Sequence, residues 1–342
     1  LALRVAAELA VSRATTTVAQ LVAELSGHDR LLDRLDAGGD PHAAVAAVFS
    51  WSYRHLPADA ARAFRLFGLH PGRDADADAV AALADTDLDA ARRALDLLTH
   101  AHLVHPTGDD RFGMHDLLWA YASDRAASAT DDRRAALGRL FDYYLATAGT
   151  AIDLLYPAEA HRRPRVPAVT TPVPDLGDPA AARRWLDAER ACLRAAAGHA
   201  AAQGWPTFSI RLPTILFRYL AGGLHDDGLA IFRHGRHAAR QIGDRAGEAN
   251  AINGIGSAYA QVGRHAAAAE QFTQALRLFG EVGDRTGEAR ARTNLGLTDE
   301  RLGRYASAAD HHERALANFR QMGDRTGEAR ASTNLGIVEQ RL

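Results

Sequence analysis

Hydrophobic positions in the last third of the chain recur at helical spacing, and the whole pattern then repeats forty residues later. Between Ala249 and Glu288 a small-residue stretch, Asn253-Gly254-Ile255-Gly256-Ser257-Ala258-Tyr259, leads to a Gly263-Arg264 turn. A second apolar stripe of Ala268, Phe272, Ala275 and Leu276 follows. The layout returns over Ala289 to Glu328 with Asn294-Leu295-Gly296, the Gly303-Arg304 turn, and Ala308, His312, Ala315 and Leu316. A half-copy opens at Ala329 and carries Asn334-Leu335-Gly336. Spacings of three and four put each stripe on one helix face, so each period predicts two antiparallel helices. Small residues at Gly256 and Ala268 allow the pair to approach closely, and Phe272, Leu276 and Tyr259 fill the space between them. Three copies of Gly-Asp-Arg-x-Gly-Glu-Ala, starting at Gly243, Gly283 and Gly323, punctuate the periods. The glycine suits a left-handed helix exit and the aspartate the cap of the next helix. The Arg and Glu of the motif are expected to form turn and inter-repeat salt bridges. Ile210 to Ile242 reads as an earlier, degenerate pair, and Trp185, Leu186, Leu193 and Ala197 as a helix before it.

Upstream the pattern is different. Val45, Val48, Phe49 and Tyr53 form an apolar face that ends at Leu56-Pro57, and Asp59 opens a helix carrying Ala63, Phe64, Leu66, Phe67 and Leu69 up to Pro71-Gly72. Ala77 to Ala84 predicts a short helix. Leu88, Ala91, Leu95 and Leu98 predict another, capped by Thr86 or Asp87. His102-Leu103-Val104-His105 and Arg111-Phe112-Gly113-Met114 read as two strands around a Pro-Thr-Gly-Asp-Asp turn, with a last helix from about Asp116 to Ala127. Three helices, a hairpin and a helix make a winged-helix arrangement. Leu137, Leu140, Phe141, Tyr144 and Leu145 then stripe a helix from about Asp131 to Tyr156. The proline- and arginine-rich run from Pro157 to Pro179 reads as an irregular connector.

Composition narrows the functions on offer. Seven acids oppose four arginines across Asp87 to Arg125, which argues against the hairpin and its helices meeting DNA phosphates. The net charge of −2 gives no basic surface for nucleic acid or membrane. The chain contains no lysine, so a G-x-x-x-x-G-K-[ST] phosphate loop cannot lie within it. A single cysteine, Cys192, fits a reducing, cytoplasmic setting. No apolar run reaches the roughly 18 residues a bilayer span needs, and the histidines, His102, His105, His311 and His312 included, show no set of partners for a metal. The ends read as cut: residue 1 is already inside a helical pattern, and Leu342 falls midway through a period.

Two resemblances follow from these motifs. The forty-residue periods resemble a long variety of the tetratricopeptide repeat, whose stacked helix pairs make binding surfaces. Phe112-Gly113-Met114-His115-Asp116-Leu117-Leu118 resembles the Met-His-Asp motif of the NB-ARC class of STAND signalling ATPases. Leu1-Ala2-Leu3, Phe49-Ser50-Trp51-Ser52-Tyr53-Arg54-His55-Leu56-Pro57 and Trp185-Leu186-Asp187-Ala188-Glu189-Arg190 agree in order with segments of bacterial members.

The resemblance implies a mainly α chain: the end of a helical subdomain over 1–41, a winged helix over 42–128, a helical linker over 129–207 and tetratricopeptide repeats over 208–342. It implies the sensor portion of a transcriptional regulator whose ATPase core, with its ADP or ATP and Mg, and whose DNA-binding effector lie upstream. The segment itself would not be an enzyme. His115 would contact the β-phosphate of ADP, with Asp116 holding the junction and Met114 packing beneath. Helix-lining Asn250, Asn253, Arg290, Thr293 and Arg330 are candidate contacts for a protein or small-molecule signal, and self-oligomerisation would accompany activation. Two other readings stay open: a tetratricopeptide adaptor with no nucleotide switch, and a DNA-binding winged helix joined to repeats.

Overall fold

The structure, a computed structural model, describes residues 49, 52–108, 110–128, 132–162, 164, 166 and 168–342. The expectation for 1–41 lies outside them, as do Val45 and Val48. The described residues fall into two compact units. One holds those up to Tyr144 together with the stretch ending at Asp175, and the other holds the remainder.

The first unit opens with α1 (Ala58–Phe67), which starts behind Pro57, carries Asp59 in its first turn and buries Ala60, Ala63, Phe64, Leu66 and Phe67. Tyr53 and Phe49 pack on Tyr121 with ring centroids 6.0 and 5.9 Å apart, so the apolar face predicted ahead of Leu56 is used where it is described. Asp76 then caps α2 (Ala77–Ala84), accepting from the Ala79 amide at 2.7 Å. Asp87 caps α3 (Leu88–His100) by the same bond from Ala90. Each cap satisfies an amide that helix geometry leaves without a partner.

A hairpin follows, but not with the predicted ends. His102 adopts φ 57°, and the amides of His102 and Leu103 donate to Thr99 O and Leu98 O at 3.0 and 2.9 Å. Residues predicted as strand are therefore spent closing α3 in a left-handed exit. Strand β2 begins only at His105 (His105–Gly108) and pairs antiparallel with β3 (Arg111–Gly113). A third strand, β1 (Asp74–Asp76), adds to the other side of β3, giving the sheet order β1-β3-β2. Asp-Ala-Asp has no strand propensity. It is extended because it pairs with β3 and because Asp74 meets the Arg111 guanidinium at 2.6 Å. Helix α4 (Asp116–Ser128) closes the unit's core, with Gly68 against it: a Cβ on Gly68 would come within 2.6 Å of the Ala122 Cβ.

Helix α5 (Arg133–Leu155) passes from the first unit to the second. The second unit continues with α6 (Pro179–Ala202), α7 (Pro206–Leu220) and α8 (His225–Ile242), then the repeats proper: α9 (Arg245–Gln261), α10 (His265–Val282), α11 (Arg285–Arg301), α12 (Tyr305–Met322) and α13 (Arg325–Glu339). This is a solenoid of tetratricopeptide-like helix pairs. The punctuation works as read: Gly243, Gly283 and Gly323 take φ 73°, 71° and 68°. Asp244, Asp284 and Asp324 accept from the amides of Gly247, Gly287 and Gly327 at 2.8, 2.8 and 2.9 Å. The motif's charges also bridge helices. Buried Glu248 accepts from Arg240 of α8 at 2.5 Å and from Arg245 at 3.1 Å, and Arg245 also reaches Glu281 of α10 at 2.7 Å.

Inside each pair a glycine faces a ring. A Cβ on Gly256 would lie 2.7 Å from Phe272, and one on Gly296 would lie 2.5 Å from His312. His312 thus fills the place of Phe272 one period on. It is fully buried, and neither ring nitrogen has a hydrogen-bond partner among the described residues. Burial pushes its pKa below the ordinary 6.5. His312→Phe should therefore stabilise the second unit by about 1–2 kcal/mol at neutral pH, because it removes two buried polar atoms without changing the ring's seat. An imidazole whose native pKa is depressed costs stability as the unfolded chain takes up protons, so the advantage should widen as pH falls below about 6.5. Denaturant unfolding at pH 7.5 and pH 5.5 checks both statements.

Candidate functional site

The Met-His-Asp residues occupy the junction between β3 and α4. Gly113 ends the strand, Met114 turns inward and is 6% exposed, and His115 and Asp116 are exposed. The Trp119 amide donates to His115 O at 2.9 Å, so His115 stands at the cap position of α4. Asp116 is the first residue of that helix. The His115 ring lies on the ring of His105 from β2, with centroids 4.8 Å apart and planes 25° from parallel. Among the described residues neither ring has a hydrogen-bond partner. An imidazole at the start of a 13-residue helix can donate to an anionic oxygen. Asp116 brings a negative charge to the same turn, so a phosphate contact would rest on His115.

Beside the sheet lies a group that sequence reading missed. Asp76 is held up in pKa by burial, opposed by its bond from the Ala79 amide, by Arg111 and by the Tyr143 hydroxyl, which donates to Oδ2 at 3.1 Å. Asp78, two residues on, is 6% exposed and its Oδ1 has no partner. Burial, and then the neighbouring Asp76 carboxylate, push Asp78 up to about 6. The only signal in the sequence was the run Asp74-Ala75-Asp76-Ala77-Asp78, in which the middle carboxylate reads as a cap and the last as a surface residue.

The proposed partner contacts of the repeats are brought together mainly by bonding one another. Arg290 donates to Asn250 Oδ1 at 2.8 Å, and Asn294 donates to Asn253 Oδ1 at 3.1 Å, so a polar ladder joins α9 to α11. Asn253 and Thr293 are 4% and 2% exposed, and the Thr293 hydroxyl is satisfied by Ala289 O at 2.9 Å. Arg330, one period beyond Arg290, is exposed on α13. Asn294, half-buried between its neighbours, was missed. Among the described residues no three metal-ligating side chains converge, and no helix is long and apolar enough to cross a membrane. Cys192 is buried.

Comparison with known proteins bears on this architecture. The chain is 35% identical over 286 residues, 81% of its length, to the regulatory protein AfsR of Streptomyces griseus, of which it covers 28%. The chain is a relative of bacterial regulatory proteins. It is also 36% identical over 212 residues to AfsR of Streptomyces coelicolor, covering 58% of this chain and 21% of that one. It thus spans about a quarter of the length of the curated relatives it matches. No family model matches it. A signal transduction ATPase with numerous domains (STAND) carrying a tetratricopeptide repeat sensor, from Pyrococcus horikoshii, aligns with 99% of this chain and 63% of its own at 12% identity. The TM-score is 0.30, a superposition too loose to define a common fold. The regulator expected from the motifs agrees with the AfsR relatives, and the expected helical repeats agree with the solenoid of the second unit.

A buried carboxylate with one oxygen unsatisfied gives a direct test of the packing around α2. The native pKa of Asp78 lies above its ordinary value of 3.8. Its charge therefore costs stability above about pH 6, and the cost fades as the native state takes up the proton on acidification. Asp78→Asn should raise the unfolding free energy of the first unit by about 2 kcal/mol at pH 8 and by much less at pH 5. Equal gains at both pH values would contradict the assignment.

Proposed function

We propose that this chain is the nucleotide-sensing and signal-receiving portion of a STAND-type transcriptional regulator acting in the cytoplasm. In this reading the unit of α1–α4 and the three-stranded sheet is a winged helix. The order helix, strand, helix, helix and hairpin, with β1 beside β3, supports it. The observation that carries the reading is His115: an exposed imidazole with no hydrogen-bond partner among the described residues, fixed at the strand-to-helix junction where the resemblance puts a phosphate contact.

ADP fits the residues present to the extent that His115 can donate to a phosphate oxygen while Met114 anchors the junction below it. The remaining contacts, the phosphate loop and the Mg, fall to an ATPase core outside this chain. ADP, when bound, would supply the charge that this chain's His115 grips, and the winged helix would then be held in one position. The repeats would receive a protein or small-molecule signal that binds the released form more tightly, since only unequal affinity shifts such an equilibrium. Oligomerisation would follow release. The acid excess around the hairpin disfavours DNA contact by this module, and DNA would be met by an effector elsewhere in the regulator.

The full-length protein that carries this chain, purified without added nucleotide and then denatured, should yield about one ADP per chain. His115→Ala should lower that occupancy several-fold. Absence of nucleotide from both proteins would leave a tetratricopeptide adaptor in place of the switch.

A further inference from the structure

We propose that His105 is a positioning residue for His115: its ring, reaching across from β2, supplies the flat surface that holds the His115 imidazole ready for the nucleotide. This rests on the reading of His115 as a phosphate contact.

Three features of the hairpin build the stack. His105 is the register partner of Gly113 in the antiparallel ladder, and His115 is two residues beyond Gly113, so the two histidines are diagonal neighbours across the strand pair, within reach of ring side chains. Gly113, opposite His105, carries no side chain to take up the space beside that ring. A Cβ there would come within 2.9 Å of Thr107 Cγ2 and 3.6 Å of His105 Nε2. The left-handed exit at His102 sets the start of β2, and with it the register that aligns His105 with the junction.

The ring centroids are 4.8 Å apart with planes 25° from parallel, a separation at which aromatic faces attract. His105 is half-buried while His115 is exposed. The supporting ring is thus anchored in the sheet, and the supported one keeps its other face open. A lone exposed histidine would have to give up rotamer freedom on gripping a phosphate. One already seated on a neighbouring ring has surrendered much of it beforehand.

ADP release from the full-length protein, followed with radiolabelled ADP chased by excess unlabelled ADP, tests the inference in four variants. His115→Ala should release fast. His105→Ala should release roughly three- to tenfold faster than wild type. His105→Phe, which keeps a flat face but no ring nitrogens, should return to within about twofold of wild type. The double variant His105→Ala/His115→Ala should be no faster than His115→Ala alone, because His105 acts through His115. Wild-type release from His105→Ala beside fast release from His115→Ala would overturn the inference while leaving the nucleotide reading intact. Failure of His105→Phe to rescue would overturn it too. Unchanged release from His115→Ala would sink the nucleotide reading, and the role of His105 with it.

Discussion

The solenoid depends on a close approach: a bare α-carbon on the first helix of a pair, met by a ring from the second. Gly256 meets Phe272, and Gly296 meets His312. Because no side chain intervenes, the two helix backbones come near enough for alanines such as Ala268 and Ala308 to be completely buried. A related device joins one pair to the next, where Gly287 lies under Phe279 and Gly327 under Phe319. The first helices of the pairs are individually weak in apolar pattern, with glycine and asparagine inside α9, so packing, and not propensity, holds them. Once the glycine–ring contact sets the spacing, the glycine exits, the aspartate caps and the Arg–Glu bridge within each motif recur at the same places.

The same register brings polar groups of successive first helices into line. Asn250 with Arg290, and Asn253 with Asn294, bond because their helices are one period apart and held at a fixed distance. Side chains linked in this way hold one another in place along the line where the periods meet. In the first unit the junction carrying His115 shows the same economy on a smaller scale, since a ring seated in the sheet, His105, lies against the exposed His115.

Much of this was legible in the sequence because it is local. Gly243, Gly283 and Gly323, with the aspartates after them, declare helix ends by type alone, and the stripe of Ala268, Phe272 and Ala275 declares a buried face. What stayed hidden depends on partners far along the chain. Strand β1 owes its shape to β3, nearly forty residues later, and Asp-Ala-Asp carries no strand signal of its own. The true start of β2 was masked by a left-handed histidine, a conformation rare enough that no pattern announces it. The His105–His115 stack required the pairing register, and the burial of Asp78 required the packing around α2. Asn253 and Thr293 read as surface because polar residues usually are, whereas here the stacking of periods covers them.

The central claim, that glycine–ring contact sets the spacing of the repeats, is tested most directly by comparing two single substitutions in denaturant unfolding. Gly256→Ala puts a methyl group into the Phe272 ring and should cost about 1–3 kcal/mol. Gly280→Ala, on an exposed helix face with its nearest neighbour 3.9 Å away, should be neutral or stabilising by up to about 1 kcal/mol, as helix propensity alone dictates. If Gly256→Ala matched Gly280→Ala, the close approach would not be what holds the solenoid together.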